Sequence, residues 1–361
     1  MRLPLLSGGD PTKIDEKKAI DLIRYAIDKG VNYIDTAYPY HSATRMWPGG
    51  WSEPLVAKAL TDGYREKVKL ATKLPSWLIK TREDMDKYLN AQLERLATDS
   101  IDFYLVHALN GNLWKNLQEI GITDFLNKAI KDRRIKYAGF SFHDKYESFN
   151  RIVDAYDWSF CQIQYNYMDE DFQAGKQGLQ YAAAKGLGIT IMEPLKGGKL
   201  AVGIPGVVQD IFDQANIKRT PVEWALRWVW NHKEVAVLLS GMNTIEQVVE
   251  NLKIANEGKE NSLTKEDLSV IEKAKSVYKQ NIKVPCTGCG YCVPCPAGVD
   301  IPACFTCYNN YYIFGREERY ALVPKEGRAS NCVQCGKCEI RCPQAIKIRE
   351  ELKNVKALFE K

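Results

Sequence analysis

The cysteines of this 361-residue chain are concentrated in its last quarter. Only Cys161 lies before residue 286, whereas ten of the 11 cysteines fall between residues 286 and 342. Such a density of thiols is typical of a small domain held together by disulfides or by metal–thiolate bonds. The sequence therefore predicts two domains, one over residues 1–281 and a cysteine-based one over residues 282–361.

The cysteine-rich segment contains two runs of four cysteines, and each run ends in Cys-Pro. The second run has the spacing of bacterial ferredoxins, and the first is one residue shorter in its last gap. In such runs three closely spaced thiolates bind one 4Fe–4S cluster, and the fourth reaches the other cluster. The predicted ligand sets are Cys286, Cys289 and Cys292 with Cys342, and Cys332, Cys335 and Cys338 with Cys295.

Disulfides, zinc and a single cluster are the alternatives to two clusters. Disulfides suit secreted domains, but the start of the chain lacks the apolar stretch of a secretory signal. Structural zinc usually pairs two Cys-x-x-Cys units, whereas three cysteines in Cys-x-x-Cys-x-x-Cys followed by a Cys-Pro cysteine are typical of iron–sulfur sites. Two 4Fe–4S clusters are thus preferred. Cys304 and Cys307 are predicted to pack, and Cys161 is predicted to be buried on a strand.

Residues 1–281 alternate short β-rich runs with amphipathic stretches, which is the pattern of a parallel α/β fold. The amphipathic spacing predicts a helix over residues 117–131, and residues 301–314 of the cysteine-rich segment are also predicted to be helical. No G-x-G-x-x-G follows an early strand, and this counts against a doubly wound dinucleotide-binding sheet. Residues 1–5 would be the end of an eighth strand. The fold class predicted is a (β/α)8 TIM barrel, its first strand short or truncated, followed by a small α-helical ferredoxin-like domain. The seven strand runs are 31–37, 67–74, 101–109, 135–142, 160–168, 188–195 and 235–242.

Four ionisable residues stand at the ends of three consecutive strand runs. They are Asp35, Tyr40, Lys73 and His107. Strand ends form the mouth of a TIM barrel, so these side chains are expected to converge. A nearby ammonium lowers the pKa of a phenol, a carboxylate keeps that ammonium charged, and a histidine orients a carbonyl or relays a proton. Each residue alone has an ordinary structural explanation, but together they suit proton donation to a carbonyl that receives a hydride.

The segments that carry these residues resemble the motifs of the aldo-keto reductases, in order and in spacing, over about residues 1–280. The resemblance implies a (β/α)8 barrel and reversible, nicotinamide-dependent carbonyl reduction. By motif position, Tyr40 would be the general acid, Lys73 its pKa-lowering partner, Asp35 the ion-pair partner of the lysine, and His107 the residue that orients the substrate. The matching segments are GVNYIDTAYPYH, LATKLP, DFYLVHAL and SGMNTIEQVVENL.

The same resemblance implies a nicotinamide dinucleotide site. Ser141 and Gln162 match the residues that hold the carboxamide, whereas Phe142 stands where the family has asparagine, so His143 or water would substitute. Met192 would lie against the nicotinamide, and the loop that ends in Gly197 and Gly198 would bind the pyrophosphate. The implied cofactor-binding residues are Ser141, Gln162, Met192, Pro194, Leu195, Gly197, Gly241, Asn243, Gln247, Glu250 and Asn251.

Two of these positions affect the choice of dinucleotide. Gly241 and Gln247 stand where the family usually has a lysine and an arginine that bind the 2′-phosphate of NADPH. Loss of both cations removes charge-assisted contacts, so NADPH and NADH are both candidates. The segments MEPLKGGKL and CTGCGYCVPCP resemble an iron–sulfur-containing branch of the same family.

The composition of the chain limits the classes of molecule that it is expected to bind. A net charge of +5 with mixed Lys and Glu gives no support for nucleic-acid binding, and no apolar run approaches the roughly 20 residues that cross a membrane. We expect a cytoplasmic enzyme, a small-molecule carbonyl substrate and a possible redox partner protein. Trp47 and Trp51, in the loop after Tyr40, would favour an apolar carbonyl. Alternatively the chain is an electron-transfer protein in which the barrel is mainly a docking scaffold, or the cysteine-rich tail, residues 282–361, has only a structural role.

Overall fold

The computed structural model describes residues 2–6, 10–42, 49–286, 288, 290–315, 317, 319–342 and 344–360. The chain divides into two compact units. The first comprises Met1–Gly197 and Val222–Leu263, and the second comprises Gly198–Pro221 and Thr264–Lys361. The domain boundary near residue 281 stays a prediction.

The first unit is built on a sheet whose seven described strands are all parallel and pair in chain order. This is the arrangement of consecutive β/α units in a (β/α)8 barrel, as the sequence predicted. Leu5 instead pairs with Ile14 in an isolated antiparallel bridge, so described residues 2–6 add no strand to the sheet. The strands are β1 (Tyr33–Asp35), β2 (Lys69–Leu74), β3 (Ile101–Leu109), β4 (Ile135–Phe142), β5 (Phe160–Gln164), β6 (Gly188–Met192) and β7 (Val237–Leu238).

Helices alternate with these strands because their apolar spacing places one buried face toward the sheet. Thr81 and Thr244 cap their helices by accepting a backbone N–H through the side chain. The single helix predicted over residues 117–131 is wrong, since Gly121 adopts φ 79° and separates two shorter helices. These helices are α1 (Glu16–Asp28), α2 (Ser52–Ala59), α3 (Arg82–Arg95), α4 (Gly111–Glu119), α5 (Ile122–Lys131), α6 (Tyr146–Asp154), α7 (Gly175–Ala184), α9 (Pro221–Trp230) and α10 (Ile245–Glu257). Between α7 and α9 in the chain, α8 (Gly206–Asp213) belongs to the second unit.

The second unit combines α8 with the helices of the chain's last hundred residues, and no strand occurs in its described part. Its core contains Val284, Phe305, Leu352 and Val355, all buried. Asn309 holds the segment before the first cysteine run, because its side chain bonds the backbone N–H and C=O of Val284 at 2.9 and 2.7 Å. The helices are α11 (Lys265–Gln280), α12 (Ile301–Phe314), α13 (Lys337–Ile340) and α14 (Ile348–Phe359).

A buried polar network fixes the end of β2. The Glu53 carboxylate is fully buried and accepts hydrogen bonds from Thr72 at 2.7 Å, Gln92 at 2.8 Å and Arg95 at 2.8 Å. Gln92 also donates to the carbonyl of Lys73 at 3.0 Å. The network therefore ties α2 and α3 to the strand end that carries Lys73.

Replacement of Glu53 by alanine is expected to lower the free energy of unfolding by about 3 kcal/mol, because it leaves the Arg95 charge without its buried partner. Tryptophan fluorescence in a urea titration measures this loss in the first unit, which contains all eight tryptophans. Glu119→Ala, on the exposed end of α4, is the control and should change the free energy by less than about 0.5 kcal/mol. Equal stability of the two variants would contradict a structural role for the network.

Candidate active site and cysteine cavities

Three of the predicted catalytic residues meet at the carboxyl ends of β1 and β2. The Lys73 ammonium is fully buried and donates to both oxygens of Asp35, at 2.6 and 2.8 Å. It also donates to the Thr36 carbonyl at 2.8 Å and lies 3.4 Å from the Tyr40 hydroxyl. A parallel register pairs Asp35 with Ala71, two residues before Lys73, which brings the carboxylate and the ammonium to the same sheet edge.

The electrostatics of this group keep the lysine charged. Burial works against its charge, but the Asp35 carboxylate and Tyr40 more than offset this, so the pKa of Lys73 is raised. Burial also raises the pKa of Tyr40, and the Lys73 ammonium only partly opposes that rise. The net direction differs from the lowering that the sequence suggested, because desolvation of the phenolate outweighs the nearby charge. At neutral pH the Tyr40 hydroxyl is therefore protonated and can donate.

His107 lies beside this group near the end of β3. Its ring stands edge-on to that of Tyr40 with centroids 6.0 Å apart, and Trp77 approaches it at 5.3 Å. The pairing of β3 with β4 shifts register between Val106 and Leu109, at the position of His107. Irregularities of this kind re-aim a side chain. All four residues predicted as catalytic thus lie together at the carboxyl ends of the strands.

Two residues predicted to hold the carboxamide follow on the next strands. Ser141 accepts a hydrogen bond from the Ala108 N–H at 2.7 Å. Gln162 is buried, and its amide N–H lies 3.5 Å from the Met192 sulfur. Its side-chain oxygen has no hydrogen-bond partner among the described residues. A buried acceptor without a partner costs about 1–3 kcal/mol, so this oxygen suits the N–H of a bound amide. Phe142 packs on Phe149 instead.

The loop after β6, predicted to bind the pyrophosphate, contains three consecutive residues with left-handed backbone. Lys196, Gly197 and Gly198 all adopt positive φ, at 48°, 69° and 92°. Consecutive N–H groups in such turns form concavities for phosphate. The Lys196 ammonium is held by Asp169 at 2.6 Å and is not directed freely at a ligand. Pro194 and Leu195 lie in the same turn, between Met192 and Lys196.

The residues predicted to bind the adenosine end lie at and after the end of β7. Asn251 donates to Ser240 at 2.9 Å, and the Gln247 side chain accepts the Asn243 N–H at 2.9 Å. Gly241 and Glu250 belong to the same stretch, Glu250 on α10.

Arg2 is a residue that the sequence prediction missed. Its guanidinium donates to the Gly197 carbonyl at 3.1 Å, and a Cβ at Gly241 would lie 3.0 Å from its Cγ. One cation therefore touches both segments predicted to bind phosphate. Arg2 is far along the chain from Gly197 and Gly241, so no local sequence pattern indicates that it contacts them.

The predicted iron–sulfur ligands that the structure describes line two separate cavities. One is bordered by Cys286, Cys292 and Cys342. The other is bordered by Cys295, Cys332, Cys335 and Cys338. Cys289 and residues 43–48, including Trp47, lie outside the described residues. Among the described residues, no three His, Cys, Asp or Glu side chains are placed to hold a single metal ion.

The three unassigned cysteines are buried. Cys161 is fully buried on β5 beside Gln162, as predicted, and Cys304 and Cys307 are buried on α12. Burial raises the pKa of Cys304 to about 12 and that of Cys307 to about 11, which keeps both as thiols. The burial of these three cysteines agrees with the prediction that they pack in the protein interior. Trp51, by contrast, is 59% exposed.

Fold and site together define an oxidoreductase of the parallel α/β barrel type. Residues 5–205 match the model of the Aldo/keto reductase family, and residues 285–346 match that of a 4Fe-4S dicluster domain. The first match spans more than half of the chain. The chain belongs to the aldo/keto reductase family and is an enzyme that carries a 4Fe–4S domain in its C-terminal region.

Relatives and solved structures agree with this placement. "Probable aldo-keto reductase 1" of Glycine max is 24% identical over 283 residues, which are 68% of this chain and 77% of that protein. Aldo-keto reductase AKR11C1 from Bacillus halodurans (holo form) has a TM-score of 0.58 at 22% identity, covering 72% of this chain and 87% of its own. The Klebsiella pneumoniae aldo/keto reductase in complex with NADP and acetate has a TM-score of 0.58 at 24% identity. The match covers 75% of this chain and 89% of that chain. At these identities the two structures show the fold.

None of the described helices combines the length and the apolar character needed to cross a bilayer.

Proposed function

We propose that this enzyme reduces an aldehyde or ketone to an alcohol with NADPH or NADH. The observation that carries the proposal is the buried Lys73 ammonium, placed between the Asp35 carboxylate and the Tyr40 hydroxyl. When bound, the dinucleotide supplies a hydride to the carbonyl carbon. Tyr40 donates its hydroxyl proton to the carbonyl oxygen, Lys73 stabilises the phenolate that remains, Asp35 holds the lysine, and His107 orients the carbonyl.

The residues present fit a nicotinamide dinucleotide. The unpartnered Gln162 oxygen would accept from the carboxamide, and the turn that ends in Gly197 and Gly198 would cradle the pyrophosphate. Arg2 would add a cation to the phosphate region. The NADP-bound Klebsiella neighbour supports this assignment by fold alone.

Dinucleotide oxidation tests the proposal directly. The holoprotein, purified without oxygen, is mixed with NADPH or NADH and a panel of aliphatic and aromatic aldehydes, and the loss of reduced dinucleotide is followed by absorbance. Consumption that requires both aldehyde and dinucleotide, with alcohol as product, is expected. A barrel that binds dinucleotide but turns over no carbonyl in the panel would favour the electron-transfer alternative.

Residue 247, on α10, is proposed to influence the choice between NADPH and NADH. Gln247→Arg is expected to raise the ratio of kcat/KM for NADPH to that for NADH about tenfold, because it restores a charge-assisted contact to the 2′-phosphate, worth roughly 1.4 kcal/mol. Gln118→Arg, on exposed α4, adds the same charge elsewhere and should leave the ratio unchanged. A ratio that stays constant in Gln247→Arg would remove residue 247 from the phosphate site.

We further propose that the cysteine-rich tail, residues 282–361, holds two 4Fe–4S clusters. These clusters exchange electrons with a redox partner protein or stabilise the tail. One set of ligands is Cys286, Cys289, Cys292 and Cys342, and the other is Cys295, Cys332, Cys335 and Cys338. The separation of the described members into two cavities supports these sets. Because thiolates stay reduced in the cytosol, a cytoplasmic location fits the clusters.

A further inference from the structure

The second cysteine cavity reaches the protein surface at an exposed cysteine. The first, bordered by Cys286 and Cys342, is otherwise lined by uncharged residues such as Phe305 and Ile348. The second is bordered by Cys335, which is the exposed cysteine among those that the structure describes. Its wall also includes Val333, 66% exposed. The second cavity therefore offers electrons an exposed route into the cysteine-rich tail.

A second exposed apolar side chain follows a few residues further along the chain. Ile340, on α13 two residues after Cys338, is 89% exposed and is the most exposed of the large apolar side chains in the described part of the chain. Lys337 and Arg341 lie three residues before and one residue after it, so helical spacing places all three on one face. Both cations are exposed. We call Val333, Cys335, Lys337, Ile340 and Arg341 the exposed cysteine surface.

The charge around the exposed cysteine surface is positive. Residues 332–351 contain four cations, Lys337, Arg341, Lys347 and Arg349, and three carboxylates, Glu339, Glu350 and Glu351. The Glu339 carboxylate is paired with Arg349, whose Nη2 and Nε donate to it at 2.8 and 3.0 Å. Glu339 is thus already paired with Arg349, and the charged residues of the exposed cysteine surface itself, Lys337 and Arg341, are both positive.

An exposed apolar centre with a charged rim is the composition of a protein-docking surface. We propose that the exposed cysteine surface docks a small acidic one-electron carrier protein, which reduces the cluster held in the second cavity. This inference rests on the proposed pair of clusters. At each encounter one electron leaves the reduced carrier and enters the oxidised cluster, so the carrier is oxidised by one electron, and no bond is formed or broken.

Anaerobic stopped-flow mixing tests the proposal with the holoprotein and a reduced flavodoxin as the acidic carrier. The second-order rate constant for cluster reduction should fall as ionic strength rises, because opposite charges steer the encounter. In K337E/R341E it should fall at least tenfold at low salt, and Ile340→Ser should weaken flavodoxin binding in calorimetry. Iron content should stay at the wild-type value in both, since these side chains are exposed.

The control is K265E/K273E, which makes the same change of net charge on exposed positions of α11. An equal loss of rate in both double variants, or a wild-type rate constant that does not fall with salt, would overturn docking at this surface. Iron analysis separates this failure from that of the proposed function. A normal cluster content with salt-independent reduction rejects the surface alone, whereas a protein without clusters rejects the premise.

Discussion

The Tyr40→Phe variant is expected to lose carbonyl reduction by a factor of about 10² to 10⁴ in kcat, the contribution that a positioned general acid makes. The phenyl ring keeps the packing of Tyr40 against His107 but removes the proton that the carbonyl oxygen must receive. Dinucleotide binding should survive, because no residue predicted to contact the dinucleotide is changed. Initial rates with a responsive aldehyde, together with a fluorescence titration of NADPH, measure the two properties separately.

Tyr38→Phe is the matched control. It removes a hydroxyl two residues away in the same segment, from a buried ring that packs on Tyr88 at 5.1 Å. Its turnover should stay close to that of the wild type. If Tyr40→Phe retains full turnover, the assignment of Tyr40 as the proton donor is wrong. If both variants lose it equally, the loss reflects packing of the segment and not proton transfer.

The second large effect concerns the metal content of the tail. The wild-type holoprotein should contain about eight iron and eight sulfide per chain, and Cys338→Ala should contain about four of each. Cys304→Ala is the matched control, because it deletes a buried thiol of the same unit that no cluster is proposed to use. Anaerobic iron, sulfide and zinc analysis checks this. Zinc in place of iron, or an equal loss in Cys304→Ala, would contradict the cluster assignment.

Double variants test which cluster each Cys-Pro cysteine serves. Cys342→Ala combined with Cys286→Ala should lose one cluster, because both ligands are proposed to belong to the same set. Cys342→Ala combined with Cys338→Ala should lose both clusters. The reverse pattern would show that each cysteine run closes on its own cluster, and the ligand exchange between runs would then be wrong.

Much of the fold was predictable because it depends on local pattern. β3 and β4 occupy the same residues that the sequence marked as strands, and α12 spans the predicted 301–314. Buried parallel strands are short apolar runs, and helices repeat every 3.6 residues, so both patterns can be recognised without tertiary information. The break at Gly121 was missed because a glycine inside an amphipathic pattern does not itself show which φ it adopts.

The sequence predicted that the candidate catalytic residues would lie close together. It did not predict the direction in which the pKa of Tyr40 is shifted. Strand ends identified Asp35, Lys73 and His107, since all parallel strands point the same way. The sequence suggested a lowered pKa for Tyr40, whereas burial raises it, because desolvation depends on the whole surroundings of the hydroxyl.

The sequence by itself determined the order of strands and helices, the strand-end residues and the spacing of the thiols, since each follows from local periodicity. Only the tertiary structure decided which groups from distant segments meet. It left the Gln162 oxygen without a partner among the described residues, brought Arg2 against Gly197 and Gly241, and gave the second cysteine cavity an exposed wall. Such contacts depend on how separate elements pack, and no pattern within a single segment encodes them.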